Sequence, residues 1–158
     1  GTFGTRLTWR NLSLSATFNY VIGGDIYNYQ RSILESGSYF YNQTSAMLSR
    51  WTHEGQVTDI PRASFLDDMG ISRFSDRWIE DGSYLKLKNI TISYRIPISN
   101  TYLHGITIWG SANNLVTFTK YLGSDPEFAQ SNGVLGMGID RGLVAAGRNF
   151  SLGVKINL

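Results

Sequence analysis

Cysteine is absent from the 158 residues, which removes disulfide staples, thiolate metal centres and a cysteine nucleophile while leaving the compartment open. Charge is scarce as well. Asp, Glu, Lys and Arg make up 16% of the chain, against about 25% in an average soluble domain, so a highly charged disordered tail is excluded. The 14 Lys and Arg are scattered and the net charge is only +2, which leaves no basic footprint for nucleic acid. No run of 18 apolar residues occurs, and a spanning helix is therefore excluded. The opening Gly1-Thr2-Phe3 has neither a basic start nor an apolar signal segment, and the chain is expected to be a piece of something longer, of a length that suits one domain.

What the chain does have is aromatic residues at 13% and 17 glycines, with Ser, Thr and Asn where a soluble surface would carry Lys and Glu. These residues alternate with apolar ones. Phe150, Leu152, Val154, Ile156 and Leu158 interleave with Asn149, Ser151, Gly153, Lys155 and Asn157. The same period of two runs through Leu12, Leu14, Ala16, Phe18, Tyr20 and Ile22, through Ile90, Ile92, Tyr94 and Ile96, and through Ile106, Ile108, Gly110 and Ala112. The fold class is all-β, with antiparallel strands expected over 3–9, 12–22, 84–96, 105–119 and 148–158. Apolar parity is odd at Phe3, Leu7 and Trp9 and flips at Arg10-Asn11, which predicts a tight hairpin turn. It flips again after Leu85 and Leu87, which predicts a β-bulge near Lys88-Asn89.

Short and long connections alternate. Arg10-Asn11 and 97–104 are short, whereas 23–82 and 120–147 are too long for structureless loops in a compact domain. Antiparallel strands then gather the short turns at one end and the long loops at the other, as in outer-membrane barrels. A short helix is expected over Thr44–Trp51, where Met47, Leu48 and Trp51 fall at helical spacing. The alternation also suits a soluble sandwich. In favour of the barrel are the Ser, Thr and Asn face, suited to a wet lumen, and aromatics near strand ends (Trp9, Phe18, Tyr20, Tyr94, Tyr102, Phe118, Tyr121) that could form interfacial girdles. In a barrel, Leu14, Phe18, Ile92, Ile108, Phe150, Leu152, Val154 and Ile156 would face lipid. The rival is a soluble carbohydrate-binding β-sandwich. Five strands cannot close a transporter-sized barrel, so further strands would lie outside this chain.

Specific strings add to the pattern. They are Ser75-Asp76-Arg77-Trp78-Ile79-Glu80-Asp81-Gly82-Ser83-Tyr84-Leu85-Lys86-Leu87-Lys88-Asn89-Ile90-Thr91, Asn113-Asn114-Leu115-Val116-Thr117-Phe118-Thr119-Lys120-Tyr121 followed by Asp125-Pro126-Glu127, Gly138-Ile139-Asp140-Arg141-Gly142, and Arg148-Asn149-Phe150-Ser151-Leu152-Gly153. Together, and in this order, they resemble the carboxy-terminal end of SusC/RagA-like TonB-dependent outer-membrane transporters. Phe18-Asn19-Tyr20 with Gly23-Gly24-Asp25-Ile26-Tyr27-Asn28, and Arg50-Trp51 with Thr58-Asp59-Ile60-Pro61-Arg62-Ala63, are similar to long-loop motifs of the same family.

The resemblance covers nearly the whole chain. It implies the last strands of a large plugged transmembrane barrel of about 22 strands, with long extracellular loops, in the bacterial outer membrane. It further implies import of glycans or peptides, a SusD-like surface lipoprotein as lid, and drive from TonB through an amino-terminal plug that this chain lacks. Such a protein is no enzyme and needs no cofactor. Leu158 departs from the aromatic that usually ends a barrel protein.

Other candidate chemistry is weak. Gly136-Met137-Gly138, within 133–142, lacks the context of a phosphate loop. His53 and His104 have no partners at metal spacing. Asp67-Asp68, Glu80-Asp81 and Asp125 with Glu127 read as solvated loop charges, lacking the EF-hand pattern. No serine stands in a nucleophile elbow. The candidate ligand or lid contacts are therefore loop residues: Tyr39, Tyr41 and Trp51, which could stack on sugars, meet the lipoprotein or pack the loop on itself, and Arg62, Asp125 and Glu127. Pro61-Arg62 reads first as a loop bend.

Overall fold

The computed structural model describes residues 1–98, 105–129 and 136–157. Expectations for Tyr102, His104, Gly133 and Leu158 lie outside the described residues. Among the described residues, the strands are β1 (Thr2–Trp9), β2 (Leu12–Val21), β3 (Asp25–Asn28), β4 (Ile79–Asp81), β5 (Tyr84–Ile96), β6 (Gly105–Thr119), β7 (Ile139–Asp140) and β8 (Asn149–Asn157), with short helices α1 (Tyr29–Leu34) and α2 (Pro126–Ala129). Contacts divide the chain into two units, one of residues 1–23, 82–120 and 145–158, the other of 24–81 and 121–144.

The first unit is a five-stranded sheet in the order β1-β2-β5-β6-β8, antiparallel throughout. Its strands match the five expected from the alternation to within a residue or so. A two-residue turn joins β1 to β2, closed by the Trp9–Leu12 pair, and Arg10 there adopts φ +53°, the left-handed conformation that a tight hairpin demands.

The expected bulge is present. Asn89 pairs Thr17 while Leu87 pairs Phe18, so Lys88 has no opposite number on β2. The distortion extends further than expected, because between the Leu87–Val116 and Asn89–Asn113 pairs β6 sets two residues, Asn114 and Leu115, against the single Lys88. Asn114 takes φ +53°, and its side-chain amide donates to the Gly147 carbonyl.

The second unit contains a small sheet in the order β4-β3-β7, with β3 antiparallel to β4 and parallel to β7. Ile26, Met47, Trp78 and Tyr121 are buried in this unit. Asn28 ends β3 and caps α1, its side-chain oxygen accepting from the Arg31 amide at 3.0 Å, one of the donors a helix start leaves unpaired. The helix expected over Thr44–Trp51 is instead a 3-10 turn over Ser45–Ser49. Arg50 turns to extended geometry and the Trp51 amide bonds to the Ile60 carbonyl, which draws the chain out of the helix. Met47 is consequently buried while Leu48 is 83% exposed.

Candidate functional site

Register places the apolar residues of the five-stranded sheet on one side, row by row. Leu7, Leu14, Ile92, Gly110 and Leu152 form one row, and Trp9, Leu12, Tyr94, Ile108 and Val154 the next. Ile106 pairs with Ile156, and Ala112 with Phe150. Beyond the bulge, Phe3, Phe18, Leu87 and Val116 continue the same side, and the Phe3 and Phe18 rings stack at 5.0 Å. Leu14 and Phe18 are half-covered by their neighbours. Ile92, Ile108, Phe150, Leu152, Val154 and Ile156 are exposed, Leu152 at 89%. A sandwich requires a second layer over this side, and no layer of the described residues covers it.

The opposite side is polar. Arg6, Ser15, Thr91, Ser111 and Ser151 share one row, and Thr17, Asn89, Asn113 and Asn149 another. Asn89 Nδ2 donates to Asn113 Oδ1 at 2.8 Å, and Thr91 Oγ1 donates to Asn89 Oδ1 at 3.1 Å. Aromatics stand on this side too: Tyr84, opposite Val21 and Thr119, and Trp109, which pairs with Gly153 and whose indole fills the space where a Cβ on Gly153 would lie, 2.5 Å from the ring.

Charge divides sharply between the units, a count the sequence would have allowed but the alternation does not suggest. All 12 Asp and Glu fall within 24–81 and 121–144, whereas the sheet unit holds no carboxylate side chain and eight cations: Arg6, Arg10, Lys86, Lys88, Arg95, Lys120, Arg148 and Lys155.

Those carboxylates are not simply solvated. Arg31 donates from Nε to Glu35 Oε2 and from Nη1 to Glu80 Oε1, both at 2.9 Å. Glu80 also accepts from Asn28 Nδ2 at 3.2 Å and from the Leu122 amide at 2.8 Å, and Glu35 accepts from Thr44 Oγ1 at 3.1 Å. Burial works against the Arg31 charge, but hydrogen bonds and charge from Glu80 and Glu35 outweigh it and hold its ionisation above the ordinary value. Tyr121 donates its hydroxyl to Asp140 Oδ2 at 2.5 Å. Burial, then the Asp140 carboxylate, pushes ionisation of that phenol well up. A polar cavity of about 200 Å³, lined in part by Asn28, Arg31, Glu35, Thr44 and Asp140, lies beside this network.

Two readings of the sequence are corrected here. Tyr121 is a buried hydrogen-bonding residue of the loop unit, not a girdle aromatic. Glu80, Asp67 and Asp125 are structural acceptors rather than solvated charges. The Asp67 carboxylate takes the Ile71 amide at 2.6 Å and both donors of Ser72. Asp125 is buried and accepts the Glu127 amide at 3.0 Å at the start of α2. Backbone amides without partners at helix and turn starts attract such carboxylates.

The remaining candidates hold separate local contacts. Tyr39 and Tyr41 are exposed, their ring centroids 5.6 Å apart. Phe40 between them is more exposed still and meets Phe65 at 5.6 Å; it is not among the stacking candidates that the sequence suggests. Trp51 is half-buried. Arg62 is exposed, with Nε 3.2 Å from the Met69 sulfur, and Glu127 is half-buried. Among the described residues no group of His, Cys, Asp or Glu has the geometry to hold a metal.

No protein-family model matches the chain. It is 32% identical over 162 residues to TonB-dependent receptor P3 of Formosa agariphila, covering 98% of this chain and 16% of that protein. To TonB-dependent receptor P26 of the same organism it is 26% identical over 166 residues, with the same coverage. Among solved structures, the RagAB peptide importer in its open-open state superimposes with a TM-score of 0.82 at 27% identity, over 100% of this chain and 17% of that one. The closed-closed state gives 0.81 at 27% identity, over 99% and 17%. The chain thus spans about a sixth of the length of the proteins it matches. Those relatives are receptors and transporters, not enzymes, and the two-sided antiparallel sheet matches part of their barrel. The chain belongs to the SusC/RagA-like TonB-dependent receptors, β-barrel proteins of the bacterial outer membrane.

Proposed function

We propose that residues 1–158 are the carboxy-terminal stretch of barrel wall in a TonB-dependent importer of glycans or peptides, with the loops at 23–82 and 120–147 bordering its extracellular mouth. The observation that carries this reading is the sheet itself, bare and apolar on one side and lined with Ser, Thr and Asn on the other. That pattern suits lipid outside and water within. Leu14, Phe18, Ile92, Ile108, Phe150, Leu152, Val154 and Ile156 are then the lipid-facing set. Strands β1 and β8 each have one unpaired edge, which a membrane does not tolerate in isolation and which the rest of a parent barrel would close.

Substrate would pass the loop unit first. The exposed Tyr39 and Tyr41 offer ring faces for sugars, peptide side chains or a SusD-like lipoprotein lid, and Arg62 offers an exposed cation. Trp51, Asp125 and Glu127 shape the loops that present them. TonB would act through a plug outside this chain. The likeness to a peptide importer supports import, and among cargoes it favours peptides over glycans.

Extraction of the tagged full-length receptor from outer membranes tests the assignment. A surface lipoprotein should co-purify in about equal amount, and deletion of the receptor gene should abolish uptake of its cargo. A receptor that purifies alone, with uptake undiminished in the deletion strain, would overturn it.

A further inference from the structure

We propose that the β1–β2 turn holds the phosphate of an anionic glycerophospholipid, with Arg10 as its anchor and Trp9 and Tyr94 flanking the headgroup. The inference rests on the reading above that the apolar side meets lipid. It concerns a depression of about 310 Å³ lined by Trp9, Arg10, Asn11, Leu12 and Tyr94, all within the sheet unit. Trp9 and Tyr94 are 69% and 50% exposed, and both belong to the row with which the apolar stripe reaches the turn. Large amphipathic rings at the end of an apolar stripe are what a headgroup boundary selects.

Arg10 supplies the charge. Its guanidinium carbon lies 5.2 Å from the centre of the Trp9 ring, so the fork is held against the aromatic while its N–H groups stay available. It makes no ion pair among the described residues, and the sheet unit contains no Asp or Glu that could compete for it. A planar fork of donors beside apolar surface matches a phosphodiester, which it can grip at two oxygens. The position is also unusual for arginine: φ is +53° where tight hairpins favour Gly, Asn or Asp. The geometry points to a lipid rather than a free phosphate ion because Leu12 and two ring faces line the same depression. They would meet glycerol and acyl carbons, and an ion alone would leave them uncovered.

The test uses the full-length receptor in detergent, titrated with phosphatidylglycerol or phosphatidylcholine and read by native mass spectrometry. Arg10→Gln should weaken retention of the tightest phosphatidylglycerol about tenfold, the loss of a charge-assisted fork, and weaken phosphatidylcholine less, because its choline cation already opposes the Arg10 charge. Arg10→Lys, which keeps the charge and not the fork, should fall between. Millimolar inorganic phosphate should not displace the lipid. Equal phosphatidylglycerol retention by wild type and Arg10→Gln would overturn the site, and so would displacement by inorganic phosphate, which would reassign it to the ion. Assembly of Phe150→Lys, four residues further from the turn on the same side of β8, is measured in parallel and depends only on the lipid-facing reading. Normal assembly of that variant would overturn the reading itself, whereas impaired assembly with unchanged lipid retention in Arg10→Gln would overturn the phosphate site alone.

Discussion

Arg31 Nη1 lies 2.9 Å from Oε1 of Glu80, a carboxylate 49 residues further along the chain. That contact links α1 to β4 across the whole length of the long loop, and the same guanidinium holds Glu35 one helical turn away. Removing it would leave two largely buried carboxylates facing each other.

Arg31→Met should therefore lower the local stability of the loop unit by about 2 kcal/mol, a discounted value for a partly exposed pair. Amide hydrogen exchange on the full-length receptor checks this. Protection over 29–35 and 79–81 should fall by more than tenfold, and unchanged protection would remove the network from any structural role.

The Tyr121–Asp140 bond predicts an alkaline effect. Ionisation of Tyr121 is held above the value of about 10 for a free tyrosine, so the folded loop retains a proton that the unfolded chain releases. Its contribution is complete below pH about 10 and is lost as pH rises beyond it. Amide exchange of 136–144 between pH 9 and 11, compared in wild type and Tyr121→Phe, should show a steeper loss in wild type. Parallel profiles would mean that the phenol is not coupled to folding.

Deleting Lys88 should be far worse than replacing it. The extra residue keeps Leu85 and Leu87 on the same side as Ile90 and Ile92, and without it one half of β5 presents the wrong face. Heat-modifiable mobility on gels, a measure of barrel assembly, should be lost in the deletion variant and retained in Lys88→Ala. Normal assembly of the deletion would show that β5 tolerates either register.

Phe150→Lys, well up the apolar side from the turn, should cost about 2 to 4 kcal/mol, with Ser151→Lys tolerated. The folded fraction of each full-length variant in outer membranes is the measurement. Equal assembly would separate the two sides of β8 from any lipid-water division.

How far the sequence could be read depended on period. The five long strands were legible because side chains alternate, and the Lys88 bulge was legible because one extra residue reverses parity. The matching distortion in β6 is invisible for the same reason: relative to β2, where Thr17 and Phe18 are adjacent, Asn114 and Leu115 add two residues, which leaves Ile106 through Phe118 in phase. Strands β3, β4 and β7 have four, three and two residues, too few for any period to show. Tyr121 was misread because an aromatic just past a strand end looks alike whether it meets a membrane or a carboxylate, and its partner Asp140 lies 19 residues on. Of the loop candidates, the pairing of Tyr39 with Tyr41 is not written in their spacing, because 39–41 is a run of bends and not a strand. The buried position of Asp125 depends on packing that no local pattern reveals.

The missing side chain of Gly153 gives the Trp109 indole a berth against the strand beside it. Any larger residue at 153 would collide with the ring and lift the indole off the strand, breaking the close seating of β6 against β8 at this level.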